Sequence, residues 1–190
     1  MWEKFKKLFK NYGYYALAGV LIVAIALTVS LTAKSDVVQK NPDDSVDVDT
    51  KPIAMGLPLA NCSIIKGYSD EDLQLNKTMA QWEAHIAIDL ASENKDVFSI
   101  LAGTVENIEE TYELGTMITI RHDKGIKSVY ASLANKPSVK MGDKVKKGQK
   151  LGEISTTSAN EFLDGEHLHF ELYKDNEPVN PANFIQFENK

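Results

Sequence analysis

From Tyr14 to Ala33 the chain reads YYALAGVLIVAIALTVSLTA, without one charged side chain. No other stretch restricts the fold so tightly. A hydrocarbon interior offers backbone amides no water, so a spanning segment satisfies them internally, as a helix or within a closed barrel. About 20 residues rising ~1.5 Å each cover a hydrocarbon core of about 30 Å. The spacing predicts one transmembrane helix over 14–33. Lys4, Lys6, Lys7 and Lys10 precede it with Glu3 as the only acid, whereas Asp36, Asp43, Asp44, Asp47 and Asp49 follow it. Excess lysine stays cytoplasmic, so residues 1–13 read as a basic cytoplasmic tail and the C-terminal part as extracytoplasmic. Trp2, Tyr12, Tyr14 and Tyr15 suit an aromatic belt at the inner interface. Ala24-Ile25-Ala26 also has the form of a signal-peptide cleavage site. The apolar run continues past it to Leu31, however, and cleavage after Ala33 would set Leu31 where a small residue is required. An uncleaved anchor is the expectation, and export follows under either reading.

Residues 34–52 are rich in Asp, Ser and Val, contain Pro42 and Pro52, and carry no sustained apolar period. Low hydrophobicity with excess negative charge predicts a linker. This leaves 53–190 as the folded domain. A net charge of -6 without a basic stripe beyond the N-terminus excludes nucleic acid as a partner. Cys62 is the only cysteine, so no intramolecular disulfide can form. It reads as a small buried hydrophobe.

Within the domain, apolar residues alternate. Thr116 to His122 reads TMITIRH and Lys127 to Leu133 reads KSVYASL, joined by Asp123-Lys124-Gly125-Ile126 as a hairpin. His122, beside that turn, reads as an exposed turn histidine. Residues 139–154, VKMGDKVKKGQKLGEI, contain two glycine turns between short strands, a pattern shared by several β folds and by transport adaptors. His167 to Tyr173 reads HLHFELY. On a strand Leu168, Phe170 and Leu172 point one way, and His167, His169, Glu171 and Tyr173 the other. Helical potential is confined to about Ser69 to Ala84, where Asp70-Glu71-Asp72 suits a helix start. The fold class expected is mainly β: an antiparallel sandwich or barrel with few exposed edges.

Three of the four histidines fall in two short patterns, His85-x-x-x-Asp89 and His167-Leu168-His169. Zinc takes imidazole nitrogen and carboxylate oxygen, and a hydrolytic site keeps one position for water. Residues i and i+2 of a strand share a face about 6.6 Å apart, so one histidine of the pair can bind metal while its neighbour reaches substrate or water. Positions i and i+4 of a regular strand lie about 13 Å apart. Joint ligation by His85 and Asp89 therefore requires a bend at Ile86 to Ile88. Each pattern alone is weak; their joint occurrence carries the argument.

With these stretches in hand, the chain resembles the lysostaphin/LytM-type zinc metallopeptidases, whose pattern is HxxxD, a YxHL strand, then HLHFE followed by VNP. The matching residues are His85 and Asp89, Gly103-Thr104-Val105, Tyr130-Ala131-Ser132-Leu133, residues 139–152, His167 to Glu171, and Val179-Asn180-Pro181, in that order across most of 53–190. The resemblance implies a LytM-like fold, with His85, Asp89 and His169 as zinc ligands and His167 as a catalytic histidine. Two departures stand out. Ser132 occupies the position of the family's second catalytic histidine, and Ala87 stands where HxGxD has glycine. An imidazole shuttles protons near neutral pH and an alkyl hydroxyl does not. Loss of one positioned acid–base group costs about 10²–10⁴ in rate.

An anchored domain of this kind with a degenerate site is similar to sporulation members of the family. Those sit in the forespore membrane, project into the intermembrane space and bind a mother-cell membrane protein of the stage III sporulation AH type during engulfment. The resemblance thus implies a zinc-binding interaction scaffold, inactive or weak as an endopeptidase. The alternative is an active zinc peptidoglycan endopeptidase, for which the three ligands and His167 argue. Regulation of a separate wall amidase is a third reading, but neither a coiled coil nor a peptidoglycan-binding module is evident.

Overall fold

A computed structural model describes residues 53–187, together with Trp2. The expected spanning segment, the linker and the rest of the basic tail lie outside the described residues. Among those described, no helix is long and apolar enough to cross a membrane.

The domain is mainly β and antiparallel. Its eight-stranded sheet runs β1 (Ser63–Lys66), β4 (Ile88–Ala91), β11 (Leu168–Lys174), β8 (Ile126–Leu133), β7 (Gly115–His122), β6 (Gly103–Thr111) and β9 (Lys144–Val145), with β12 (Glu177–Val179) also paired to β11. Two smaller sheets pair β2 (Ser69–Asn76) with β3 (Gln81–His85), and β5 (Asp96–Phe98) with β10 (Lys150–Glu153). The main sheet does not close into a barrel; β1 and β9 stand at its edges. Val97 of β5 and Leu151 of β10 join the core formed by the main sheet, giving a second layer.

Alternation places the core. Leu168, Phe170 and Leu172 of β11 are fully buried, as are Ile118 and Ile120 of β7 and Tyr130 of β8. Burying such a side chain contributes about 1.5–3 kcal/mol. The Tyr130 and Phe170 rings meet at 5.3 Å. The expected hairpin forms, with Asp123, Lys124 and Gly125 between β7 and β8. Gly142 and Gly148 supply the turns of the glycine-punctuated stretch, at φ of 87° and 77°, values that favour a residue without Cβ.

Two expectations are corrected. Ser69 to Ala84 forms the β2–β3 hairpin, not a helix. The stretch from Ser69 to Gln74 is longer than the stretch from His85 to Glu83 that it opposes, so Asp70-Glu71-Asp72 sits in an irregular bulge. His122 is buried rather than exposed. It shares the inward face of β7 with Ile118 and Ile120. Its Nδ1 lies 2.9 Å from the Ala102 carbonyl and its Nε2 2.8 Å from Ser128 Oγ. Gly103 packs so closely against the ring that a Cβ there would lie 2.6 Å from Nδ1.

Candidate metal centre

The register of three strands builds the site. Asp89, on β4, pairs with Lys66 of β1 on one side and with His169 of β11 on the other. His85 ends β3, and the chain bends at Ala87 before β4 begins. That bend brings His85 Nε2 to 3.3 Å from Asp89 Oδ2, where a straight strand would hold the residues about 13 Å apart. Ala87 is buried and its φ is not in the left-handed region, so the bend has no need of glycine.

A fourth residue enters from the segment between β10 and β11. Glu161 precedes a single 3₁₀ turn at Phe162–Asp164. One carboxylate oxygen lies 3.6 Å from His85 Nε2 and the other 3.1 Å from His169 Nδ1. His169 Nδ1 is also 3.0 Å from Asp89 Oδ1. One ligand atom from each of His85, Asp89, Glu161 and His169 can be chosen so that all lie within 4.8 Å of one another, and all four residues are buried. Despite this closeness His85 Nε2, His169 Nδ1 and both Asp89 oxygens make no hydrogen bond. Buried polar groups are nearly always hydrogen-bonded. Atoms that converge without bonding one another face a common centre, and this donor set of two imidazoles and carboxylates fits zinc.

The neighbouring groups orient both rings. His85 Nδ1 lies 2.9 Å from the Gly67 carbonyl, which can only accept, so Nδ1 carries a proton and Nε2 is the nitrogen left to face the centre. His169 Nε2 lies 3.3 Å from Glu171 Oε1, leaving Nδ1 to face the centre. Glu171 in turn accepts from the Tyr173 hydroxyl at 2.6 Å. Such outer partners set the tautomer and raise the basicity of a metal-binding imidazole.

In the absence of a metal ion the cluster holds protons. Burial pushes the His85 imidazolium toward neutrality, but the Asp89 and Glu161 carboxylates outweigh it and hold its pKa at about 9. For His169, burial is likewise outweighed by Asp89, Glu161 and Glu171, and the pKa rises well above the usual histidine value. Burial opposes ionisation of Asp89 and Glu161, yet the imidazoles hold both below the usual carboxylate range. A metal cation binding here displaces those protons. Lys66 Nζ, buried and without a hydrogen bond, adds positive charge 3.6 Å from Glu161 Oε1.

His167 lies beside the cluster. Its Nδ1 is 2.8 Å from the Gly165 carbonyl and its Nε2 3.3 Å from Glu161 Oε2. Ser132 is fully buried at φ 59°, a left-handed conformation for a residue with a Cβ. Its Oγ donates to the Ser155 carbonyl at 3.1 Å, while its own carbonyl accepts from Ser155 N–H at 2.8 Å. The hydroxyl is therefore committed to backbone. Of the residues singled out in the sequence, His85, Asp89 and His169 come together, His167 flanks them, and Ser132 bonds elsewhere. Glu161 was not singled out.

The profile of peptidase family M23 matches residues 83–181. Stage II sporulation protein Q of Bacillus subtilis (strain 168) is 32% identical over 158 residues, 76% of this chain. The chain spans only 55% of that relative's length. A solved SpoIIQ–SpoIIIAH pore-forming complex contains a chain 31% identical, with a TM-score of 0.59 over 69% of this chain and 90% of that one. The catalytic domain of lysostaphin from Staphylococcus simulans shares the fold, at 24% identity and a TM-score of 0.53 over 65% of this chain and 92% of that one.

Proposed function

Since the chain belongs to peptidase family M23, we propose that it uses that family's fold for binding rather than turnover. In this reading it is a single-pass anchored protein of the forespore membrane. Its domain projects into the intermembrane space and docks a SpoIIIAH-type protein of the mother-cell membrane during engulfment. His85, Asp89 and His169 hold zinc, which orders the strands around it. Zinc in such a site can also activate water for hydrolysis, but here the second proton-transfer group is missing. The observation that carries the reading is Ser132, buried and hydrogen-bonded to the Ser155 carbonyl where the family has an imidazole. Removing that acid–base group costs about 10²–10⁴ in rate, or roughly 3–5 kcal/mol of barrier. The similarity to stage II sporulation protein Q and to the chain in the SpoIIQ–SpoIIIAH complex supports the partner.

The test reconstitutes the full chain in liposomes and measures binding of the soluble extracytoplasmic domain of a SpoIIIAH-type protein. Zinc content and release of peptides from crosslinked peptidoglycan are followed on the same sample. Saturable binding with about one zinc per chain and no cleavage is the expected result. Absence of binding sinks the scaffold reading. Zinc-dependent cleavage favours the second reading, an active endopeptidase, which rests on the proximity of His167 to the three proposed ligands.

A further inference from the structure

We propose that Glu161 is the fourth ligand of the zinc site and closes the coordination position that a hydrolytic site leaves to water. This rests on the zinc reading of His85, Asp89 and His169 and adds what fills the remaining position. Structural zinc sites have four protein ligands, and catalytic ones three and an exchangeable position. Donor atoms ~2.0–2.1 Å from one tetrahedral centre stand about 3.3–3.4 Å apart. One oxygen of Asp89 lies 3.3 Å from His85 Nε2 and the other 3.0 Å from His169 Nδ1, and the two oxygens of Glu161 lie 3.6 and 3.1 Å from the same two nitrogens. One ligand atom from each of the four residues falls within 4.8 Å of the others. Glu161 therefore stands toward both rings as Asp89 does. Its remaining partners are Lys66 Nζ at 3.6 Å, His167 Nε2 at 3.3 Å and Ser158 Oγ at 3.4 Å. The same carboxylate that reaches the centre also covers the inward nitrogen of His167, so both the metal and the remaining acid–base group are capped by one side chain.

A carboxylate on a loose loop could swing aside; this one is tied down. Ala159 N–H and Asn160 N–H donate to the carbonyls of Tyr112 and Glu113 at 3.2 and 3.1 Å. Ser158 Oγ donates to the Glu113 carbonyl at 2.9 Å. On the other side Leu163 N–H donates to Thr78 Oγ1 at 3.0 Å. The segment is thus held by the β6–β7 turn and the β2–β3 turn together, and Glu161 itself is only 3% exposed. The rival role for Glu161 is charge balance alone, as an ion-pair partner of Lys66 and the histidines.

The test loads the full chain in detergent micelles with Zn²⁺ or Co²⁺ and compares it with Glu161→Gln and Glu161→Ala. The expected result is zinc affinity at least about tenfold weaker in both variants, since even outer-shell partners are worth 10–100-fold. The Co²⁺ visible spectrum of the unmodified chain should ignore millimolar azide, whereas that of Glu161→Ala should shift as azide takes the opened position. Full zinc affinity in the near-isosteric Glu161→Gln variant overturns the proposal. So does an azide shift in the unmodified chain, an arm that needs no substitution to fold. An unmodified chain that binds neither metal overturns the zinc reading and this proposal with it. One that binds metal but answers to azide overturns this proposal alone.

Discussion

Two groups of histidines are buried to the same degree and differ in everything else. His122 is 5% exposed, His85 4% and His169 6%. Around His122 the bonding is complete. The Ala102 carbonyl and Ser128 Oγ take its two nitrogens, Ser128 Oγ lies 3.2 Å from the Tyr130 hydroxyl, and that hydroxyl accepts from Ile100 N–H at 3.0 Å. Burial pushes the His122 pKa down and leaves the ring neutral. Around His85 and His169 the partners are carboxylates, the inward nitrogens make no hydrogen bond, and both pKa values rise. Burial alone does not mark a site. Incomplete hydrogen bonding among converging donors of mixed charge does.

The largest expected effect separates the two groups directly. His169→Ala should abolish stoichiometric zinc uptake, measured by metal analysis after dialysis, whereas His122→Ala should leave it intact. Next, stripping zinc with a chelator should lower stability by about 4 kcal/mol where free zinc had stood at 1,000 times its Kd. Calorimetry with and without chelator reads this, and no change would place the cluster with His122 as a purely structural group. His122→Ala should then cost about 1–3 kcal/mol in a denaturant melt, because it leaves buried Ser128 Oγ and the Ala102 carbonyl short of a partner. Glu171→Gln should weaken zinc binding about 10–100-fold by loosening the orientation of His169, a change visible by competition with a chromophoric chelator.

The smallest effect is in pH. The His122 pKa is depressed from 6.5 in the folded protein. Its contribution to stability is therefore present above pH 6.5 and declines as pH falls through the folded value, because the unfolded chain gains a proton first. Replacing His122 by Gln should flatten the acid side of a stability–pH curve recorded with metal absent from both samples.

The same contrast shows how far the sequence could be read. Alternation in HLHFELY located both faces of β11, and the distance argument on His85 and Asp89 required the bend found at Ala87. The Asp123 to Gly125 turn was equally plain. The helix expected at Ser69 failed for a specific reason. Asp72 N–H donates to Ser69 Oγ at 3.1 Å, the bond a helix N-cap makes with its third residue. The local chemistry was that of a helix start, and pairing with β3 turned it into a bulge. For His122 strand parity outweighs the adjoining turn: it shares the face of Ile118 and Ile120, which points it inward. Glu161 had no local signal. It lies in a polar, aperiodic segment, and only the docking of that segment on two distant turns carries its carboxylate to the cluster.

The alternation on β11 has a consequence for assembly. Phe170 faces the core and His169 the cluster, and a strand has a period of two. If β11 paired one residue out of step, the imidazoles would enter the apolar layer and Phe170 would meet Asp89. A misassembled sheet could then no longer gather the ligand set. If the cluster takes a metal as proposed, the ion binds only chains whose central strand has been laid down in the right frame.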